Sequence, residues 1–210
     1  VASPPTDNEG EFRMTMSYSW RRSSIRSRTR TRLSTSSALR GGLPAVMTKR
    51  RLRNVNAFET ISLVKTPHAE YGHMALVEVG KGCGRGCRFC LEGQVYRPVR
   101  HRSVEALRET ITKVAKESTR IGLVGACVSD YPWIGDLMDV VEEAGLELSI
   151  SSLRADSLSD KLVASLARGG HRTLTVAPEA GTERLRQVIR KAISDEQILG
   201  LETRQVAEAL

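Results

Sequence analysis

Met74-Ala-Leu-Val-Glu-Val79-Gly-Lys-Gly-Cys83-Gly-Arg-Gly-Cys87-Arg-Phe-Cys90 is the stretch on which the reading of the fold turns. Its first six residues, Met74–Val79, are a short apolar run of strand length. A glycine-punctuated segment follows at once, with three cysteines spaced Cys-x3-Cys-x2-Cys. Downstream, strand-like and helix-like segments alternate. Ser103 is placed to cap a helix whose Val104, Leu107, Ile111 and Val114 recur at helical spacing. Ile121–Cys127 reads as a second strand, Gly135–Ala144 as a helix stopped by Gly145, and Leu146–Ser151 as a third strand. Ser159 opens a helix carrying Leu162, Val163 and Leu166 and ended by Gly169-Gly170. Thr173–Ala177 is a fourth strand. Helical patterns return at Thr182–Ile189 and from Ser194, where Gln197 completes a capping box. Such alternation predicts an α/β protein with parallel strands joined by right-handed crossovers. The continuously apolar strands suit a sheet covered by helices.

The cysteines decide the chemistry. Four occur, at 83, 87, 90 and 127, and three of them fall within eight residues. A disulfide framework needs even, dispersed cysteines in a secreted chain, so a tight triplet points to a reducing compartment and a metal. A cubane iron–sulfur cluster has four irons, each wanting one outside ligand. Three thiolates on a short loop wrap three corners and leave one iron open. Gly82, Gly84 and Gly86 are expected to let the backbone take positive φ close to the cluster. Lys81, Arg85 and Arg88 are expected to favour thiolates. Competing readings are a three-Cys zinc site completed by His101 and a redox pair Cys87-x-x-Cys90. Cys127 is either a fourth ligand or buried packing in its apolar run.

Charge divides the chain. The net charge is +8, yet twelve Lys and Arg and no acid lie between Phe12 and Phe58, leaving residues 59–210 at about −1. Residues 1–43, rich in Arg and Ser and without hydrophobic period, are expected to be a disordered tail. Such a tail also resembles a transit peptide, or an RNA-binding arm that releases counterions without reading sequence. Residues 44–73 read as a lead-in and 74–210 as the folded core. Aromatics at 4% argue against a large base-stacking surface. No apolar run is long enough to span a bilayer, so no membrane partner is expected and a cytoplasmic location is.

Cys83-x3-Cys87-x-Phe89-Cys90, with Tyr96-Arg-Pro-Val-Arg-His-Arg-Ser103 and Ala177-Pro-Glu-Ala-Gly-Thr-Glu-Arg-Leu-Arg186, resembles the radical S-adenosylmethionine (SAM) superfamily. It is most similar to the elongator-type bacterial members that often carry a cobalamin-binding domain. The resemblance implies a partial (βα)6 barrel with a [4Fe-4S] cluster held by Cys83, Cys87 and Cys90. It further implies that S-adenosyl-L-methionine binds the open iron and is cleaved to a 5′-deoxyadenosyl radical that attacks a substrate. Phe89 matches a position beside the adenine. Ser129 lies in the loop for the SAM amino group, and Glu179 matches a contact to the ribose. Arg154, on the same strand-end rim, is either a fork for the SAM carboxylate or a salt-bridge partner of Asp156 or Asp160. Glu179 as a helix N-terminal acid is the structural alternative. Arg97 and Arg100 either hold substrate or line the loop surface. No side chain is singled out as catalytic. The family's electron donors are flavodoxins or ferredoxins. Only about four of six βα units are present, and cobalamin's Asp-x-His-x-x-Gly does not precede Lys49, so a fragment is expected. The alternatives are an iron–sulfur module that carries electrons or senses redox state, and an RNA-binding protein using its basic arm. Fold does not choose among substrates.

Overall fold

Three short parallel strands form the centre of the protein: β2 (Ala75–Glu78), β5 (Arg120–Val124) and β6 (Glu147–Ile150), in the order β2-β5-β6. β5 runs down the middle, with Ala75 opposite Ile121 and Ile121 opposite Leu148. This is a computed structural model, and it describes residues 13–16 and 51–202. The chain divides into two compact units, Val1–Tyr18 with Val55–Leu210, and Ser19–Asn54; of the second, Arg51–Asn54 are described.

The strands are joined by helices, two of which begin at a hydroxyl cap. In α2 (Val104–Val114), Ser103 Oγ accepts from the Ala106 N–H, and Leu107, Ile111 and Val114 are buried. In α4 (Asp160–Arg168), Ser159 caps Leu162 in the same way. α3 (Ile134–Glu143) lies between them and ends at Gly145, whose φ of +66° suits a residue without Cβ. The capping box forms at α6 (Asp195–Glu202): Ser194 N–H donates to Gln197 Oε1 at 2.9 Å, and Gln197 N–H donates to Ser194 Oγ at 3.1 Å. Burying side chains such as Leu107, Ile111, Leu137 and Leu162 contributes roughly 1.5–3 kcal/mol each, which is why these short helices persist.

The architecture departs from the expected one in three respects. The fourth strand, β7 (Thr173–Val176), does not extend the three-stranded ladder among the described residues. It pairs in parallel with β1 (Arg13–Met16), a strand drawn from the segment expected to be a disordered tail. A sheet edge exposes unpaired N–H and C=O groups, and Arg13–Met16 satisfies those of β7 whatever its weak sequence signal. The rest of that tail lies outside the described residues. Second, only the central strand is continuously buried, at Ile121, Gly122 and Leu123; in β2 and β7 burial alternates, with Ala75, Val77, Leu174 and Val176 buried and Leu76, Glu78, Thr173 and Thr175 half-buried or exposed. Third, β3 (Gly80–Lys81) and β4 (Arg100–His101) pair antiparallel, with Gly80 opposite His101, and pinch residues 82–99 into a closed excursion. That loop contains the three cysteines and α1 (Glu92–Val95).

Part of the lead-in segment is stapled to this frame by Arg102, which is 4% exposed. Its guanidinium donates to the carbonyls of Val55 and Phe58 and to Thr60 Oγ1, and lies 3.5 Å from Glu78 Oε2. Thr60 and Ser62 then run antiparallel beside β2, through Glu78 N–H to Thr60 O and Ser62 N–H to Leu76 O.

Candidate metal and cofactor site

Two glycines shape the cysteine loop. Gly82 takes φ +79°, and a Cβ there would lie 2.1 Å from the Tyr96 carbonyl oxygen, so backbone crosses backbone at that point. Gly86 takes φ +96° beneath the guanidinium of Arg97, which donates to the Arg85 carbonyl at 3.2 Å. Gly84 does not need positive φ, and a Cβ there would make only ordinary contact with Val99, so its expected role is not required. All four cysteines are free thiols; Cys87 is buried, and Cys83 and Cys90 are half-buried.

The loop's cations do not act as expected. Lys81 Nζ pairs with Glu78 at 2.7 Å. Arg85 is engaged by carboxylates: its Nε and Nη2 each donate to Asp130 at 2.6 Å, and its Nη1 donates to Asp156 at 3.0 Å. Asp130 follows β5 and Asp156 follows β6, so one side chain between Cys83 and Cys87 anchors the loop to two strand ends. Arg154 completes the set by forking onto Asp156, Nε at 2.8 Å and Nη2 at 3.0 Å. Of the two roles open to Arg154, the structure has the salt bridge to Asp156. Arg88 is exposed.

These charges tune one another. Burial alone would raise the Asp130 carboxyl, but the Arg85 fork, with help from Ser157, outweighs it and holds the group below its ordinary value. A carboxyl whose folded value is depressed stabilises the fold fully above the ordinary carboxylate range, and loses that contribution as pH falls through its own lower value. In acid titrations followed by circular dichroism, Asp130→Asn is therefore expected to be less stable than wild type at neutral pH. The difference should shrink as the pH falls below the carboxylate range. A gap that stayed constant with pH would show that the Arg85–Asp130 pair is not the cause. Burial pushes the Cys127 thiol up to about 11, against a smaller lowering contribution from the Ser129 hydroxyl. His101 is lowered, by burial first, with Asp130 working the other way.

A cavity of about 330 Å³ opens beside the loop, lined by Cys83, Arg85, Val99, His101, Cys127 and Asp130 together with Gly82 and Gly84. His101 stands edge-on to Tyr131, their ring centroids 5.6 Å apart. Ser129 is buried and does not line the cavity; its hydroxyl meets Ser157 Oγ at 2.7 Å and accepts the Arg154 N–H at 3.1 Å. Phe89 and Glu179 meet elsewhere, through Lys191. Lys191 Nζ is 3.0 Å from Glu179 Oε1 and 5.9 Å from the centroid of the Phe89 ring. Glu179 does not cap a helix: α5 (Glu183–Val188) is capped by Thr182, and Glu179 sits in the turn after β7 at φ +70°. Arg88 N–H donates to the Ile189 carbonyl at 2.9 Å, which seats the cysteine loop against the end of α5. Sequence reasoning missed Lys191, the second of two adjacent cations after a helix, and the bridging of Asp130 and Asp156 by Arg85. Only the run of carboxylates just past successive strands hinted at the second.

Among the described residues, no three His, Cys, Asp or Glu side chains gather closely enough to hold one metal ion. A cubane asks for something different, since each thiolate takes its own iron and the ligands stand apart. The donor set fits such a cluster: three thiols free of disulfides on a single glycine-shaped loop, one of them opening onto a cavity with both charge signs in its wall.

The sequence model of the Radical SAM superfamily matches residues 77–202. The uncharacterized protein MJ0966 of Methanocaldococcus jannaschii is 43% identical over 131 residues, which are 61% of this chain and 29% of that protein. The chain thus spans under a third of the length of that relative.

Proposed function

Because the chain belongs to the radical SAM superfamily, we propose that Cys83, Cys87 and Cys90 hold a [4Fe-4S] cluster and that the protein cleaves S-adenosylmethionine reductively. When bound, the cluster supplies the electron that breaks a carbon–sulfur bond of the sulfonium, and the chemistry is the cofactor's. The chain's part is placement. The observation that carries this reading is Arg85: it fixes the three-thiol loop against Asp130 and Asp156 at the edge of a cavity onto which Cys83 opens. Asp130 offers a carboxylate to an ammonium group there, while Arg154 forks onto Asp156 and donates its N–H to Ser129. Phe89, with Lys191 and Glu179, provides an aromatic face and polar groups for the nucleoside end.

Adding SAM to the reconstituted, reduced protein is expected to change the cluster's EPR signal and release 5′-deoxyadenosine. A cluster that forms but ignores SAM would favour the electron-carrying or redox-sensing module instead. The finer kinship, with elongator-type members associated with cobalamin domains, rests on Tyr96–Ser103 and Ala177–Arg186, and cobalamin itself has no ligand motif before Lys49. The RNA reading rests on the basic stretch between Phe12 and Phe58. Loss of a salt-sensitive RNA affinity on deleting residues 1–43 would favour it.

A further inference from the structure

The lead-in residues Glu59-Thr-Ile-Ser-Leu-Val-Lys65 run along the outer edge of β2, antiparallel to it. Glu78 N–H donates to the Thr60 carbonyl and Ser62 N–H to the Leu76 carbonyl, so the main-chain groups of Thr60 and Ser62 face the sheet. Those of Ile61 and Leu63, one residue out of step, face away from it. They make no main-chain hydrogen bond among the described residues. The edge is also apolar: Leu63 is 89% and Val64 79% exposed, the most open apolar side chains among the described residues. An unpaired apolar edge is a template for another strand, and proteins usually blunt it with a charge, a proline or a bulge. Here the charges stand only at the two ends, Glu59 and Lys65, and the turn that begins at Pro67 comes after them.

We infer that this edge pairs with the same edge of a second copy of the chain, antiparallel, about a two-fold axis through Ser62. In that register Ile61 and Leu63 of one copy exchange main-chain hydrogen bonds with Leu63 and Ile61 of the other, which satisfies the outward groups. Across the axis Ile61 meets Leu63, Thr60 meets Val64 and Glu59 meets Lys65, each pairing occurring twice. The charges select this register. A slip of two residues either way sets Glu59 opposite Leu63 or Pro67 instead of a cation. Within its own chain Glu59 accepts from Lys113, and Lys65 lies 3.6 Å from Glu117. Pairs this exposed contribute little, and a carboxylate accepts more than one donor, so both end charges can serve across the axis. The pairing runs one sheet through both copies. None of these residues lines the cavity beside the cysteine loop, so the inference does not depend on the proposed cluster. An edge this short buries little area, in the range of transient interfaces under about 1,200 Å², and the dimer is therefore reversible.

The test is sedimentation equilibrium of the full chain over a wide concentration range, where a monomer is expected to give way to a dimer. Leu63→Pro removes an outward N–H and none of the bonds to β2, so it is expected to keep the circular dichroism spectrum and lose the dimer. Glu59→Lys and Lys65→Glu, each alone, set like charges opposite one another twice. Each is expected to weaken dimerisation by at least about tenfold. Mixed together, the two single variants restore opposite charges at both ends and are expected to form a heterodimer of near wild-type affinity. Mixing cannot repair a lost contact to Lys113 or Glu117 within one chain, so recovery in the mixture reports the pairing itself. The charge variants decide the matter if Leu63→Pro fails to fold. A chain that stays monomeric at every concentration, a dimer indifferent to a folded Leu63→Pro, or a mixture no tighter than its components would overturn the pairing.

Discussion

Replacing Cys83, Cys87 and Cys90 together by alanine is expected to abolish iron and sulfide uptake on anaerobic reconstitution, while the helical circular dichroism signal remains. Cys127 lines the same cavity as Cys83 but stands alone on another segment, one thiol where the loop offers three. Cys127→Ala is therefore expected to keep its cluster. The fold should survive the triple change because none of the three cysteines belongs to the main apolar core, and the loop's ends are closed by β3 and β4 rather than by metal. Iron, sulfide and visible absorbance measure the first expectation. A triple variant as brown as wild type would remove the basis of the proposed function.

Arg102→Ala is expected to destabilise the protein by about 3–5 kcal/mol, the cost of stripping one partner from a buried pair. Four groups depend on that guanidinium: the Val55 and Phe58 carbonyls, Thr60 Oγ1 and the Glu78 carboxylate. Glu78 keeps Lys81 on one oxygen, but its other oxygen is buried without a hydrogen bond and has only the nearby positive charge. Urea unfolding should show a lowered midpoint at unchanged slope. Removing both charges, as Glu78→Gln with Arg102→Met, should recover part of the loss, since two neutral groups leave no orphaned ion. An Arg102→Ala midpoint within experimental error of wild type would mean that the lead-in segment does not depend on this staple.

Much of the frame could be read from local signals, because caps and helical stops are local physics. Ser103, Ser159, Thr182 and the Ser194–Gln197 box each mark a helix start, and Gly145 marks a stop. The departures are long-range. Nothing within Arg13–Met16 announces that β7 needs a partner some 160 residues away. The two-residue ladder of Gly80–Lys81 with Arg100–His101 is too short to show as a pattern. The three thiols were legible from spacing alone, whereas their surroundings were not. Sequence put positive charge around the sulfurs, and the fold hands Lys81 to Glu78 and Arg85 to Asp130 and Asp156. Arg154 carried two readings in one dimension, and only its neighbours in space show that it forks onto Asp156.

The antiparallel pinch at the neck of residues 82–99 has a consequence for how such a protein is made and maintained. Its neck shuts by main-chain pairing of Gly80 with His101 and Lys81 with Arg100. On the proposed reading, a cluster would enter a pouch whose base the polypeptide closes by itself, without the surrounding sheet having to come apart.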